Sequence, residues 1–198
     1  MNSNDSLQGG YFDEIYRRNP DPWNYRHSDY EERKYATTLA ALPSRRFADA
    51  FEIGCSIGVL TQRLAPRCER LLAVDASDVA LGLARERCAS LAHVEFRRMQ
   101  VPAEFPDRRF DLILLSEVGY YWAAADLQRA AVRMIDALTA PGWLLLVHWT
   151  APEDHPLTGD QVHDHFHRLA QGGRALQHRG GQRHEKYRLD LFERPIPG

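Results

Sequence analysis

The segment Phe51-Glu52-Ile53-Gly54-Cys55-Ser56-Ile57-Gly58 closes a short apolar run and opens a helical pattern. Glycines at 54 and 58 allow a tight turn and let a ligand approach the backbone closely. Asp75 stands twenty-one residues after Gly54, at the end of a second apolar run. A carboxylate at that place can accept from both ribose hydroxyls of an adenosine. The spacing therefore predicts an adenosine-bearing cofactor at the carboxyl ends of two neighbouring strands, where doubly wound folds bind ligands. The plain alternative, glycines that only turn the chain, leaves the distance to Asp75 unexplained.

The loop discriminates between cofactors. A dinucleotide site wants G-x-G-x-x-G, and the corresponding positions here are Gly54, Ser56 and Val59, so two of the three fail. A pyrophosphate would have to press against Ser56. S-adenosylmethionine has no phosphate and tolerates a looser E-x-G-x-x-x-G pattern. Glu52 then helps anchor the loop and the cofactor's cationic end. The expectation is S-adenosyl-L-methionine, released as S-adenosyl-L-homocysteine, over a nicotinamide cofactor.

Alternating elements must position this loop. Residues 1–10 read as loose. Tyr11–Arg17 reads as a short helix broken by Asn19-Pro20-Asp21-Pro22. Ser28, with Glu31 three residues on, is a capping-box arrangement for a second helix to Leu42, stopped by Pro43. Strands are expected at Ala50–Ile53, Leu71–Val74, Val94–Arg97, Leu112–Leu115 and Trp143–His148, with Pro141-Gly142 turning the chain into the last of them. Helices are expected at Ile57–Ala65, from Ser77 to about Ala89, from an Asp126 cap to Leu138, and at about Gly159–Gln171. Ala175–Arg179 and Glu185–Phe192 would be a closing antiparallel pair with Gly180-Gly181 in the turn. The strand runs are short and continuously apolar, as in strands covered on both faces. The fold class is thus α/β, a doubly wound, Rossmann-like, mostly parallel sheet with an antiparallel C-terminal strand. The expected division is a helical cap over residues 1–43 and one domain over 44–198.

Composition limits the partners. The chain has 198 residues, 44% hydrophobic and 26% charged, enough for one domain with a proper core. A net charge of −2, with no basic stripe interleaved with aromatics, argues against a nucleic-acid partner. The N-P-P-Y type of motif that serves a flipped adenine is absent. No apolar stretch has membrane-spanning length and no signal-peptide core opens the chain, so a cytoplasmic location is expected. Cys55, Cys68 and Cys88 are odd in number and lack metal spacing. The oligomeric state is not legible.

A methyl acceptor must be held in line and its proton removed. The candidates follow the fourth and fifth strands: Glu117, Tyr120, Tyr121, Trp122, His148 and Trp149. His148 is the first choice for a general base, with Glu117 and Tyr120 as further catalytic candidates. Of the adjacent Tyr120 and Tyr121, one is expected to line the pocket and one to pack in the core. Pro152–Asp160 reads as a lid. His163 and His167 share a helix face at metal-ligand spacing, but no acidic motif lies nearby and no metal is expected.

A family resemblance joins these pieces. Glu52–Gly58, Asp75, Phe110-Asp111-Leu112-Ile113, Ser116-Glu117-Val118 and Ala140-Pro141-Gly142 resemble the class I S-adenosylmethionine methyltransferases. Asp21-Pro22-Trp23, Tyr30-Glu31-Glu32-Arg33-Lys34 and Glu117-Val118-Gly119-Tyr120-Tyr121 narrow the likeness to the nodulation methyltransferase (NodS-like) family, which N-methylates the de-acetylated glucosamine end of chitooligosaccharides. The resemblance runs over about residues 12–148. It implies that Gly54, Cys55 and Gly58 line the methionine moiety, with Ser56 in place of a usual glycine. It implies that Asp75 holds the ribose with Ala76 beside the adenine. Gln100, with Val101 next to it, stands where an aspartate usually receives the adenine amino group. Trp23 would close over the cofactor and Lys34 (or Arg33) would pair its carboxylate. Glu117 would serve the cofactor as well as the acceptor. The reading is N-methylation of a small amine such as an amino sugar. The alternatives are O-methylation with His148 as base, and a non-catalytic cofactor-binding or partner-binding domain.

Overall fold

The computed structural model describes residues 5–173 and 175–196. The chain divides into two compact units. One is residues 8–100, and the other joins residues 101–196 with the short N-terminal stretch 5–7.

In the first unit, α1 (Gly9–Arg18) and α2 (Asp29–Ala41) precede β1 (Ala50–Ile53), α3 (Val59–Leu64), β2 (Leu71–Asp75), α4 (Asp78–Arg87) and β3 (Val94–Arg98). The strands lie in the order β3-β2-β1, all parallel. Every residue of β1 is buried, as are the first four of β2. The apolar runs of these strands are explained by that two-sided burial. β3 alternates between half-buried and exposed residues, as a strand covered on one face does. Ser77 caps α4 by accepting from the Ala80 N–H at 3.2 Å. Ser28 caps α2 through the Glu31 N–H, but the capping box stays half-made because the Glu31 carboxylate takes the Lys34 ammonium at 2.9 Å instead. The helix after the loop starts at Val59 rather than Ile57, because Cys55–Gly58 form the turn, and Pro66 sits in a 3-10 turn over Ala65–Arg67.

In the second unit, β4 (Phe110–Ser116), α5 (Ala124–Ala137), β5 (Leu138–Trp149), α6 (Gly159–Ala170), β6 (Gln177–Arg183) and β7 (Tyr187–Arg194) follow one another. The order is β4-β5-β7-β6, with β4 and β5 parallel and β7 antiparallel to both its neighbours. The described residues form the expected mostly parallel α/β sheet of seven strands, finished by an antiparallel pair.

Four expectations need correction. α5 is not capped by Asp126: its N-cap is Ala123, and Asp126 sits in the first turn, where it takes the Ser6 hydroxyl and the Arg129 guanidinium. β5 begins at Leu138, and Pro141-Gly142 lie inside it. Pairing jumps from Phe110↔Leu138 to Leu112↔Trp143, so the extra residues bulge out where the sequence reads as a turn. Gly180 and Gly181 lie within β6, not in its turn. A Cβ on Gly181 would come within 2.2 Å of Asp190 Oδ1, so the glycine answers to close cross-strand packing. Finally, residues 6–9 are tied down: Leu7 N–H donates to Tyr121 O at 2.9 Å, Ser6 Oγ receives the Ala123 N–H at 2.8 Å, and the Gln8 carbonyl receives the Tyr11 N–H at 3.0 Å at the start of α1. Residues 1–4 of the stretch read as loose lie outside the described residues.

Candidate functional site

The glycine loop is built on Asp75. Gly54 and Gly58 take φ of 82° and 77°, and Ser56 is also in the left-handed region at 50°, a conformation glycine adopts at less cost. Asp75 supports that conformation. Its Oδ2 accepts from the Ser56 N–H at 2.8 Å and its Oδ1 from the Ser77 N–H at 2.9 Å. Burial pushes the Asp75 carboxyl up to about 6, although the backbone N–H groups of Ser77, Ser56 and Ala76 pull the other way. Both Asp75 and Ala76 remain half-exposed. Cys55 is buried, and its thiol is pushed up by burial and then by the charges of Asp75 and Glu52, so it packs rather than reacts.

Glu52, on β1, is 1% exposed, and its Oε2 has no hydrogen-bond partner among the described residues. Burial raises it to about 7, and the Asp75 charge adds to the rise, while the Thr61 hydroxyl opposes it. A buried carboxyl with an unused oxygen, on the strand leading into the loop, fits a cationic group of a ligand. It also gives a pH signature. The folded state holds the Glu52 proton up to about 7, whereas the unfolded chain releases it near 4.5. Folded protein therefore binds more protons in that window and loses stability as pH rises through it. Glu52→Gln removes this term. The stability advantage of Glu52→Gln over wild type should grow between pH 5 and pH 8 by up to about 3 kcal/mol. Thermal unfolding of both proteins across that range measures it, and a flat difference would show that Glu52 is not held protonated.

Helix α1 lies against the same loop through residues that sequence reasoning passed over. A Cβ on Gly9 would come within 2.5 Å of Ala76 O, so only glycine allows this approach. Asp13 Oδ1 accepts from Ser77 Oγ at 2.6 Å and from the Val79 N–H at 3.4 Å. Burial works against the Asp13 charge, but Ser77, Val79 and Arg17 outweigh it and hold the carboxyl below its ordinary value. Tyr16 OH and Ser56 Oγ are 2.5 Å apart. The available signal was the helical spacing of positions 9, 13 and 16, which share one face.

The other expected cofactor residues sit in varied local settings. Trp23 is 37% exposed and packs edge-on to Tyr16 at 5.6 Å and beside Tyr25. Lys34 is buried, paired to Glu31 and set over the Tyr30 ring, whereas Arg33 is exposed. A cofactor carboxylate would have to compete with Glu31 for Lys34. Gln100 donates to the Gln8 side chain. Val101, in the second unit, is buried and precedes Pro102 in a cis peptide.

The acceptor candidates all lie in the second unit. Glu117 is non-glycine yet has φ of 58°, a conformation kept where the surroundings demand it. Its Oε2 accepts from Tyr120 OH and from the Trp149 N–H, each at 2.8 Å. Tyr120 is buried and stacks on His155 with ring centroids 4.9 Å apart, while half-buried Tyr121 meets the same imidazole edge-on. The 152–158 segment is thus seated on the two tyrosines, and the Leu157 N–H donates to Tyr120 O at 3.1 Å.

His148 is in a different situation from the one its type suggests. It is 0% exposed, and its Nε2 receives the Gly119 N–H at 3.1 Å. That backbone group can only donate, so Nε2 carries no proton and Nδ1 must. Nδ1 donates to His163 Nε2 at 3.1 Å, and His163 Nδ1 then donates to Asp190 Oδ2 at 2.7 Å. The chain Gly119–His148–His163–Asp190 has one consistent set of tautomers. Burial lowers the His163 pKa despite Asp190, in keeping with a neutral ring. Burial works against the Asp190 charge as well, but His163, Arg188 and His178 hold it well below the carboxylate range. A general base needs access and an open lone pair, and His148 has neither, so the expectation that it serves as the base is corrected.

A parallel sheet with its glycine loop closed on an acidic residue at the end of β2 is the fold of the class I methyltransferases. Within that class the chain belongs to the NodS family: residues 14–150 match the family model described as Nodulation protein S (NodS). It is 35% identical over 129 residues to the Nodulation protein S of Bradyrhizobium diazoefficiens, covering 64% of this chain and 61% of that relative. The matched stretch thus spans about three-fifths of the relative's length. A Pseudomonas syringae crystal structure assigned as a methyltransferase is 37% identical, with a TM-score of 0.71 over 83% of this chain and 99% of that one. The structure of N-methyltransferase NodS from Bradyrhizobium japonicum WM9 with S-adenosyl-l-homocysteine shares the fold, with a TM-score of 0.82 at 23% identity over 99% and 100% of the two chains.

Proposed function

We propose that this protein transfers a methyl group from S-adenosylmethionine to the nitrogen of a small amine, an amino sugar being the first class to try. The observation that carries the reading is the loop at 54–58 held on Asp75 by the Ser56 and Ser77 N–H groups, with the carboxylate itself half-buried at the end of β2. Asp75 would take the ribose hydroxyls and Ala76 would flank the base. Gly54, Cys55, Ser56 and Gly58 would follow the methionine moiety, and the unused oxygen of Glu52 would serve the amino-acid end. Trp23, Lys34, Gln100 and Val101 complete the proposed cofactor set. The cofactor supplies a methyl carbon on a sulfonium, which makes it a strong electrophile.

Nitrogen is the favoured acceptor because an unprotonated amine already has its lone pair, so the protein need only orient it and exclude water. Glu117, fixed by Tyr120 and the Trp149 N–H, supplies a carboxylate to orient a substrate N–H. A hydroxyl acceptor would call for a base, and His148 is engaged at both nitrogens. The name N-methyltransferase borne by the Bradyrhizobium japonicum NodS structure supports the same choice. Among the described residues no helix is long and apolar enough to cross a membrane, and Cys55, Cys68 and Cys88 are buried.

Calorimetry with S-adenosylhomocysteine, run beside NAD and NADH, tests the cofactor. Micromolar binding of the first alone is expected, weakened more than about tenfold in Trp23→Ala if the indole covers the cofactor. Binding of a nicotinamide cofactor alone would overturn the reading. Binding of S-adenosylhomocysteine without turnover of any amine would leave a cofactor-binding domain in its place.

A further inference from the structure

We propose that His167, His178 and Asp190 form a binding site for a divalent first-row transition ion, zinc foremost. These residues come from α6, β6 and β7, and one ligand atom from each lies within 4.8 Å of the others. His178 Nε2 is 2.8 Å and His167 Nε2 is 3.1 Å from the same oxygen, Asp190 Oδ1. The His167 contact is off-axis, so that nitrogen is buried with no hydrogen-bond partner among the described residues. Two imidazole nitrogens and one carboxylate oxygen are a donor set that suits zinc and its neighbours rather than magnesium or calcium.

The surroundings are built for such an ion. Asp190 divides its two oxygens: Oδ2 receives His163 Nδ1 at 2.7 Å and Arg188 Nε at 2.8 Å, which leaves Oδ1 to the two outer histidines. Those Oδ2 partners orient the carboxylate as second-layer hydrogen bonds do in metal sites. Gly181 faces Oδ1 so closely that any Cβ would strike it, so the glycine keeps the oxygen accessible. Phe192 packs against both rings, with centroids 5.3 Å from His167 and 5.2 Å from His178. The two imidazoles are themselves a third exposed, which gives entry to an ion and room for water as a fourth ligand. Tetrahedral zinc would set its ligand atoms about 3.3 Å apart, so the two His–Asp190 contacts would open by about 0.2–0.5 Å and the two histidine nitrogens, within 4.8 Å of each other, would draw in onto the ion. Binding would replace the His178–Asp190 hydrogen bond, with the ring proton of the neutral imidazole moved from Nε2 to Nδ1. Helical spacing alone pairs His163 with His167; folding instead directs His163 to His148 and brings in Asp190 from the far end of the chain.

The test uses the full chain freed of metal with a chelator. Calorimetric titration with Zn2+ should give one site per chain with a micromolar or tighter Kd, and Co2+ should give the visible absorption of a four-coordinate site. His167→Ala and His178→Ala should each weaken Zn2+ by at least about tenfold, and the double variant should abolish binding. His165→Ala, on the same helix, should bind as wild type does. Far-UV circular dichroism checks the fold without reference to the cofactor, and His178→Gln replaces any alanine variant that misfolds. No saturable Zn2+ binding below about 1 mM would overturn the site. So would full affinity and stoichiometry in the double variant.

Discussion

Asp75→Ala should reduce S-adenosylhomocysteine affinity by at least about a hundredfold. Two losses combine. A charged acceptor for two ribose hydroxyls contributes on the order of 1.5–3 kcal/mol per bond, and about 1.4 kcal/mol is a factor of ten in affinity. The same carboxylate also anchors the Ser56 and Ser77 N–H groups. Without it, Ser56 is left at φ of 50° without the backbone hydrogen bond that supports that conformation. Asp75→Asn keeps an oxygen in place and should fall between the two, near tenfold. Calorimetry on the three proteins measures the series. If Asp75→Ala bound as tightly as wild type, the ribose assignment would be withdrawn whatever else the protein bound.

Asp190→Ala should be the most damaging single change to stability. The carboxylate is 3% exposed and accepts from His163 and Arg188 through one oxygen and from His178 through the other. Its removal leaves a buried imidazole N–H without an acceptor and a guanidinium short of its partner. Breaking a buried pair on one side typically costs about 3–5 kcal/mol. For a chain of this size that corresponds to a fall in Tm of roughly 10 °C. Urea unfolding with chelator present excludes any contribution from bound metal. A loss below about 1 kcal/mol would mean that solvent reaches Asp190 and replaces the missing acceptor.

The fold and the cofactor loop were legible because each rests on a local signal. β1 and β2 are apolar throughout since both faces are covered, and Gly54, Gly58 and Asp75 are placed by the turn between a strand and a helix. What was missed depends on contacts far apart in sequence. Gly181 reads as a turn residue until Asp190 is seen opposite it. Pro141-Gly142 read as a strand boundary, although β4 tolerates them as a bulge. His148 has the right chemistry for a base, and only the burial imposed by Gly119 and His163 removes it from that role. Asp13 and Tyr16 look like ordinary helix residues until α1 meets the loop they support.

The tautomers of the Gly119–His148–His163–Asp190 chain have one more consequence. Every N–H in it points the same way, from the backbone of residue 119 toward the carboxylate. Three dipoles in series polarise one another. Part of the negative charge on β7 is therefore felt at an amide just before Tyr120, three bonds removed from the carboxylate that carries it. No member can reverse its proton unless the others do, and Gly119 cannot. The row behaves as a one-way wire, and substitutions along it should be strongly non-additive, the first break costing most and the later ones little.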